Sequence, residues 1–238
     1  MPSATQKQKL LNRLYALKKD LALAEVPARP VFEQMLYAIC REGASAEQAD
    51  QAFQNLQTQF FDWNEIRVST VREVGTAISH LSQPGERARR IISFLQEVFE
   101  TAFSFNLESM QKKGLKLAEK QLERFQASNP FTTAYVLQHS LGGHSLPLDG
   151  DMLRCLRRLE LVDEDTTPEA AQGSLEHLIP KAKGVQFCET VSAIAQEHCL
   201  ETPRCPSCPM KQLCPTAQEL DTPTEAAAGG VAMKVKGR

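Results

Sequence analysis

Nothing in this chain of 238 residues approaches the run of about eighteen apolar residues that a membrane span needs. No apolar leader stands at its start, so the expected compartment is the cytoplasm, without a membrane. A charge excess is missing as well. The 27 Lys and Arg against 29 Asp and Glu leave a net −2, which singles out no partner. Period-two alternation is absent throughout, which argues against a sheet. Seven cysteines is an odd number, and a chain with 42% hydrophobic residues can bury a core without staples, so a disulfide framework is not expected. There is one tryptophan, Trp63, and behind Phe60 and Phe61 it reads as core rather than as a base-stacking platform.

What the chain does have is a cysteine loop. Cys199, Cys205, Cys208 and Cys214 are spaced Cys-x5-Cys-x2-Cys-x5-Cys, one tight pair flanked by two longer arms. Structural zinc sites usually draw their ligands as two tight pairs, so a [4Fe–4S] cluster is the first reading and zinc the alternative. Pro203, Pro206, Pro209 and Pro215 stiffen the segment and keep it out of regular helix. Cys40, Cys155 and Cys188 lie inside apolar helical runs and read as small buried hydrophobes without chemistry.

Apolar residues recur at three- and four-residue intervals, which predicts an all-α chain. Leu10, Leu11, Leu14, Leu17 and Leu21 mark the first helix, and Phe32, Met35, Leu36 and Ile39 the second. Further helices are expected at 70–81, 84–103, 114–126, 131–141, 149–161, 167–179 and 183–199. Ser45 with Gln48 has the form of a capping box, Asp62 with Glu65 resembles one, and Thr167-Pro168-Glu169 sets a cap, a first-turn proline and an acidic residue in order. Thr, Glu, Ala and Gly dominate beyond residue 215, which predicts a disordered tail over 216–238. Three basic groups, Arg87/Arg89/Arg90, Lys112/Lys113/Lys116/Lys120 and Arg154/Arg157/Arg158, are each expected to be solvated helix faces rather than phosphate sites.

An all-helical chain ending in such a loop, with Pro130-Phe131-Thr132-Thr133-Ala134 followed by Leu148-Asp149-Gly150 and then Arg154, resembles the endonuclease III superfamily of helix–hairpin–helix DNA glycosylases. The resemblance implies a two-lobed helical fold with a C-terminal [4Fe–4S] loop: a helical barrel over 30–141 carrying a degenerate hairpin, and a second lobe from 1–29 plus 142–215. It implies a monomer on double-stranded DNA, damaged or mispaired. Asp149 matches the family's Asp at the start of the helix after the hairpin, where a carboxylate stabilises positive charge on the sugar or positions water. Its rival role is a helix N-cap, and the two can coexist.

Departures from the family pattern are as informative. Thr132 stands where a bifunctional enzyme keeps the lysine that attacks the sugar, so lyase chemistry by that route is not expected. Ala38 stands where the adenine-removing branch keeps a Glu, and Gly43 where the family has a Gln that fills the gap of a flipped base. Leu81 lies near the apolar wedge and reads as core. Ser128, Asn129 and Pro130 replace the hairpin glycines; Asn can take a left-handed turn, but Pro130 removes a donor, which predicts a weaker phosphate grip. The family's first cysteine arm is one residue longer. Candidate DNA contacts are Asn129, Phe131 and Thr133 in the hairpin and Arg204 and Lys211 in the cysteine loop. The expected function is monofunctional N-glycosylase action in base excision repair. The alternative is a non-catalytic DNA-structure reader or interaction module, and a zinc-stapled helical adaptor is more remote. His198, beside Cys199, is a candidate hydrogen-bond donor to a cluster sulfur.

Overall fold

The computed structural model describes residues 3–21, 23 and 26–221. Among these, every regular element is helical. Helix α1 (Ala4–Asp20) is capped by the Ser3 side chain and buries Leu10, Leu11, Leu14 and Leu17 on one face. Helix α2 (Val31–Arg41) is buried nearly all round, as a central helix must be. Around it follow α3 (Ala46–Gln59), α4 (Trp63–Val68), α5 (Val71–Ala77), α6 (Pro84–Ala102), α7 (Leu115–Leu122) and α8 (Pro130–His139). The chain continues through α9 (Gly150–Arg158), α10 (Pro168–Leu178), α11 (Lys181–Glu197) and α12 (Pro215–Asp221).

Helix α2 packs against α3, α6 and α8, while α11 packs against α1 and α9. Phe32 on α2 meets Trp63, Phe94 and Phe105 at ring separations of 5.9, 5.6 and 5.4 Å. Trp63 therefore packs on the core, as expected. Burying each large side chain of α2 contributes about 1.5–3 kcal/mol, which makes this helix the centre of the apolar cluster.

The start signals act as their chemistry predicts. Ser45 and Gln48 close a capping box, the Asp62 side chain accepts from the Glu65 N–H, and Thr167 caps α10 with Pro168 behind it. Ends are less faithful. The helix expected at 70–81 stops at Ala77, after which Ile78–Leu81 turns on single-step hydrogen bonds and brings Ser82 towards Arg87. The disorder expected from residue 216 is not found over 216–221, because α12 carries the chain to residue 221 and buries Ala217. The rest of that prediction, 222–238, lies outside the described residues. Among the described residues, no helix is long and apolar enough to cross a membrane.

Candidate functional site

Asp149 is the N-cap of α9, its Oδ1 accepting the Met152 N–H at 2.8 Å. Its other oxygen, Oδ2, accepts the N–H of Gly43 at 3.0 Å, from the turn between α2 and α3. The side chain joins two distant segments and is only 6% exposed. Burial pushes its carboxyl up, against the downward pull of the Met152 and Gly43 hydrogen bonds. Gly43 has φ +63°, a left-handed conformation that few other residues adopt cheaply. Gly43, which the sequence resemblance sets against a Gln, thus supplies a backbone donor.

The hairpin segment turns inward. Asn129 is extended at φ −146°, not left-handed as its replacement of a glycine suggested, because it caps α8 through a reciprocal box with Thr132. Its Nδ2 donates to Glu42 Oε1 at 2.7 Å, and Glu42 is also paired with Arg90 at 2.7 Å. Thr132 is fully buried and committed to this cap. Phe131 stacks on Tyr135, and Thr133 is buried with a hydroxyl that has no hydrogen-bond partner among the described residues. Ala38 is buried in α2, and Leu81 lies in the core. Of the hairpin candidates, only Asn129 keeps part of its surface in solvent.

The basic groups divide. Arg87 is buried, and its guanidinium donates to the carbonyls of Ile39 and Glu42 at the end of α2 and of Ser82 just before α6. Arg90 is half-buried, while Arg89 faces solvent beside Glu86. Arg154 and Arg158 reach from α9 to the cysteine segment, where Arg154 Nε donates to Cys199 O at 3.0 Å and Arg158 to the Leu200 and Glu201 carbonyls. The expectation of solvated faces fails for Arg87, Arg90, Arg154, Arg158 and also Arg157, which donates to the Thr166 carbonyl at 3.0 Å. They satisfy carbonyls or carboxylates that helix ends and loops leave over.

A cavity of about 550 Å³ opens between α2, the start of α3 and α11. Buried Arg41 lines it, paired with Glu189 at 2.8 Å and with Ser192 Oγ at 3.0 Å. Burial alone would favour loss of the Arg41 proton, but the Glu189 carboxylate outweighs it and holds the guanidinium charged. Gln196, on the same wall, donates to Asp151 Oδ2 at 3.0 Å, two residues from Asp149. Sequence reasoning passed over this pair. The available signal was a charged residue inside an apolar run, Glu189 next to Cys188 and close to Val191.

Cys199, Cys205, Cys208 and Cys214 are free thiols, each half-buried. Arg158 Nη1 lies 3.4 Å from Cys199 Sγ, the sulfur of Cys208 accepts N–H groups of Met210 and Lys211, and that of Cys214 the N–H of Ala217. The Cys155 thiol hydrogen-bonds to Cys199 and, with Arg158, draws it down to about 6 against the opposing effect of burial. Cys155, expected to be inert, is therefore a neighbour of the group. Cys40 and Cys188 are buried as expected. Among the described residues, no three His, Cys, Asp or Glu side chains stand close enough to hold one metal ion. Three of the four sulfurs, those of Cys199, Cys208 and Cys214, carry N–H or guanidinium groups, the kind of contact that favours a thiolate. His198 makes its ring contact with Ser207 Oγ at 3.3 Å. Arg204 is exposed and Lys211 half-buried on this loop.

No protein-family model and no curated protein matches the chain. Solved structures do. A trapped endonuclease III–DNA covalent intermediate aligns with TM-score 0.71 at 17% identity, covering 92% of this chain and 99% of that one. A thermostable thymine-DNA glycosylase aligns at 0.64 and 14% identity, covering 90% and 98%. The 8-oxoguanine glycosylase/lyase of Clostridium acetobutylicum in complex with duplex DNA aligns at 0.60 and 12% identity, covering 81% and 70%. Since such identities speak to architecture, the conclusion is one of fold: this all-helical chain shares its fold with the solved endonuclease III and thymine-DNA glycosylase structures.

Proposed function

We propose that this protein binds duplex DNA and removes a damaged or mispaired base as a monofunctional N-glycosylase in base excision repair. The observation that carries the reading is Asp149, held by two backbone N–H groups at the start of α9 in a glycosylase fold. A carboxylate fixed there stabilises positive charge growing on the sugar as the base departs, and orients the attacking water. The cavity beside Arg41 is where a flipped base would be taken up. Lyase action is not part of the proposal, since position 132 offers a buried hydroxyl in place of an amine.

Two lobes, 30–141 and 1–29 with 142–215, would grasp the duplex between them, the chain acting as a monomer. Arg204 and Lys211 would meet phosphate, while Asn129 would serve by shaping the turn. Cys199, Cys205, Cys208 and Cys214 would hold a [4Fe–4S] cluster, with zinc as the alternative; such a group ties the loop into one shape.

One observation favours a second reading. Both Asp149 oxygens are already engaged and the family's Glu position is Ala38, which suits a non-catalytic reader of DNA structure. The experiment is a panel of duplexes, each with one damaged or mispaired base, incubated with wild type and Asp149→Asn. Base release without strand nicking, lost in the variant, is expected. Tight duplex binding with no release from any lesion would transfer the conclusion to the reader.

A further inference from the structure

We propose that Arg87 is a positioning residue for the Asp149 carboxylate, acting on it through the peptide unit that joins Glu42 to Gly43. The inference rests on the glycosylase reading and adds to that site a cation that works at one remove. A trans peptide is rigid and planar, with its C=O and N–H pointing in opposite directions. The unit between Glu42 and Gly43 is held at both ends. Arg87 Nη2 donates to the Glu42 oxygen, and the Gly43 N–H donates to Asp149 Oδ2 at 3.0 Å. One flat group therefore transmits the place of a guanidinium on α6 to a carboxylate on α9.

A clamp has a purpose at this point of the chain. Helix α2 ends at Arg41, and Gly43, left-handed and without a side chain, leaves the peptide before it freer to turn than other residues would. Arg87 restrains it from the far side. The buried guanidinium also donates to the carbonyls of Ile39 and Cys40 and to Ser82 O and Oγ, the last two at 2.7 and 3.1 Å. It thus reaches five acceptors, as many as it has N–H groups, and is fixed in turn. A Cβ built on Gly43 would lie 3.9 Å from Nη2, which puts the guanidinium directly against the turn. Arg90, one helical turn on, braces the same point: it pairs with the Glu42 carboxylate at 2.7 Å, and its Nε donates to Ala127 O at 2.9 Å.

The clamp is electrostatic as well as geometric. A donor with full positive charge polarises the carbonyl it meets, and a polarised peptide offers a stronger N–H at its other end. Arg87 in this way supports the Asp149 charge through the peptide, without an ion pair to cancel it. With Oδ2 held by Gly43 and Oδ1 by Met152, the carboxylate keeps its direction while positive charge grows on a sugar beside it. A side chain free to turn would have to reorganise at that moment.

The test follows backbone amides of the full-length, nitrogen-15-labelled protein by NMR hydrogen exchange. In Arg87→Met the Gly43 N–H should exchange at least about tenfold faster and its proton should move upfield, while the Met152 N–H, held within its own cap, changes less than about twofold. Arg87→Lys, which keeps the charge, should recover part of both effects. A Gly43 amide that is unmoved, or accelerated no more than that of Met152, overturns the inference, because Arg87 would then serve the fold alone. Should Arg87→Met fail to fold, the wild type decides. In dilute urea the Arg87 Nε–H and the Gly43 N–H should exchange with one common dependence, and opening of Gly43 at lower urea than Arg87 overturns the inference. On a duplex whose base the wild type releases, kcat should fall about tenfold in Arg87→Met with KM within about twofold. A loss carried by KM instead overturns the inference and leaves the glycosylase reading standing. A wild type that releases no base overturns that reading, and the Gly43 amide still decides whether Arg87 positions the carboxylate.

Discussion

The Asp149 carboxylate accepts the backbone N–H of Gly43 at 3.0 Å, across 106 positions of sequence. With the Met152 N–H on its other oxygen, one buried side chain caps α9 and anchors the turn that leaves α2. Asp149 thus ties two segments together whatever its proposed chemistry, and its substitution must be read for stability as well as for activity.

Asp149→Asn keeps the volume but replaces one acceptor by a donor, so either Gly43 or Met152 loses its partner. We expect destabilisation of about 1–3 kcal/mol, the cost of an unsatisfied buried amide, measured by urea unfolding. A variant as stable as wild type would show that the carboxylate does not tie these segments. Gly43→Ala should cost about 1–2 kcal/mol through its left-handed backbone, although a methyl there has room.

His139 gives the stability a pH dependence. Burial depresses its imidazole to about 4, Arg41 and Arg29 add to the effect, and Glu189 opposes it. Its ring stacks on Tyr135 at 4.2 Å, and Nε2 has no partner among the described residues. A depressed base binds its proton in the unfolded chain first, so the stability it contributes is present above the unfolded value of about 6.5 and is lost as pH falls towards 4. The loss should approach about 3 kcal/mol at full acidification. In His139→Phe this component of the pH profile should disappear; an unchanged slope would assign the titration elsewhere.

Thr132→Lys should not create a lyase. The position is fully buried inside a capping box, and forcing an ammonium into it should cost about 3 kcal/mol or more. Borohydride trapping on abasic duplex should yield no covalent complex. A trapped complex would mean that the hairpin opens towards the cleft.

Arg158→Ala removes donors to the carbonyls of Leu200 and Glu201 and to the sulfur of Cys199. Faster alkylation of the loop thiols and about ten- to one hundredfold weaker retention of any bound metal are expected. Equal alkylation rates would show that the loop holds its shape without α9.

Arg204→Ala should lower the slope of log binding constant against log salt by about 0.9, with similar changes for all duplex sequences. An unchanged slope would remove this side chain from phosphate contact.

Much of the architecture was legible in the chain. Helix starts are written locally, since a cap such as Ser45 or Thr167 needs only the next three residues, and these acted as expected. Spacing alone also brought the four cysteines to notice and put Asp149 at a helix start. Distant contacts were beyond such reading. Arg87, Arg90, Arg154 and Arg158 look alike as charges on helices, but only packing determines that a guanidinium meets a carbonyl rather than water. The Arg41–Glu189 pair spans 148 positions, and Asn129 was drawn inward by its cap and by Glu42. Local sequence determined the helices and where they begin, because their hydrogen bonds close within four residues. Tertiary structure decided which polar side chains became internal ties and which stayed in solvent, because burying a charge is tolerable only where the fold supplies its partner.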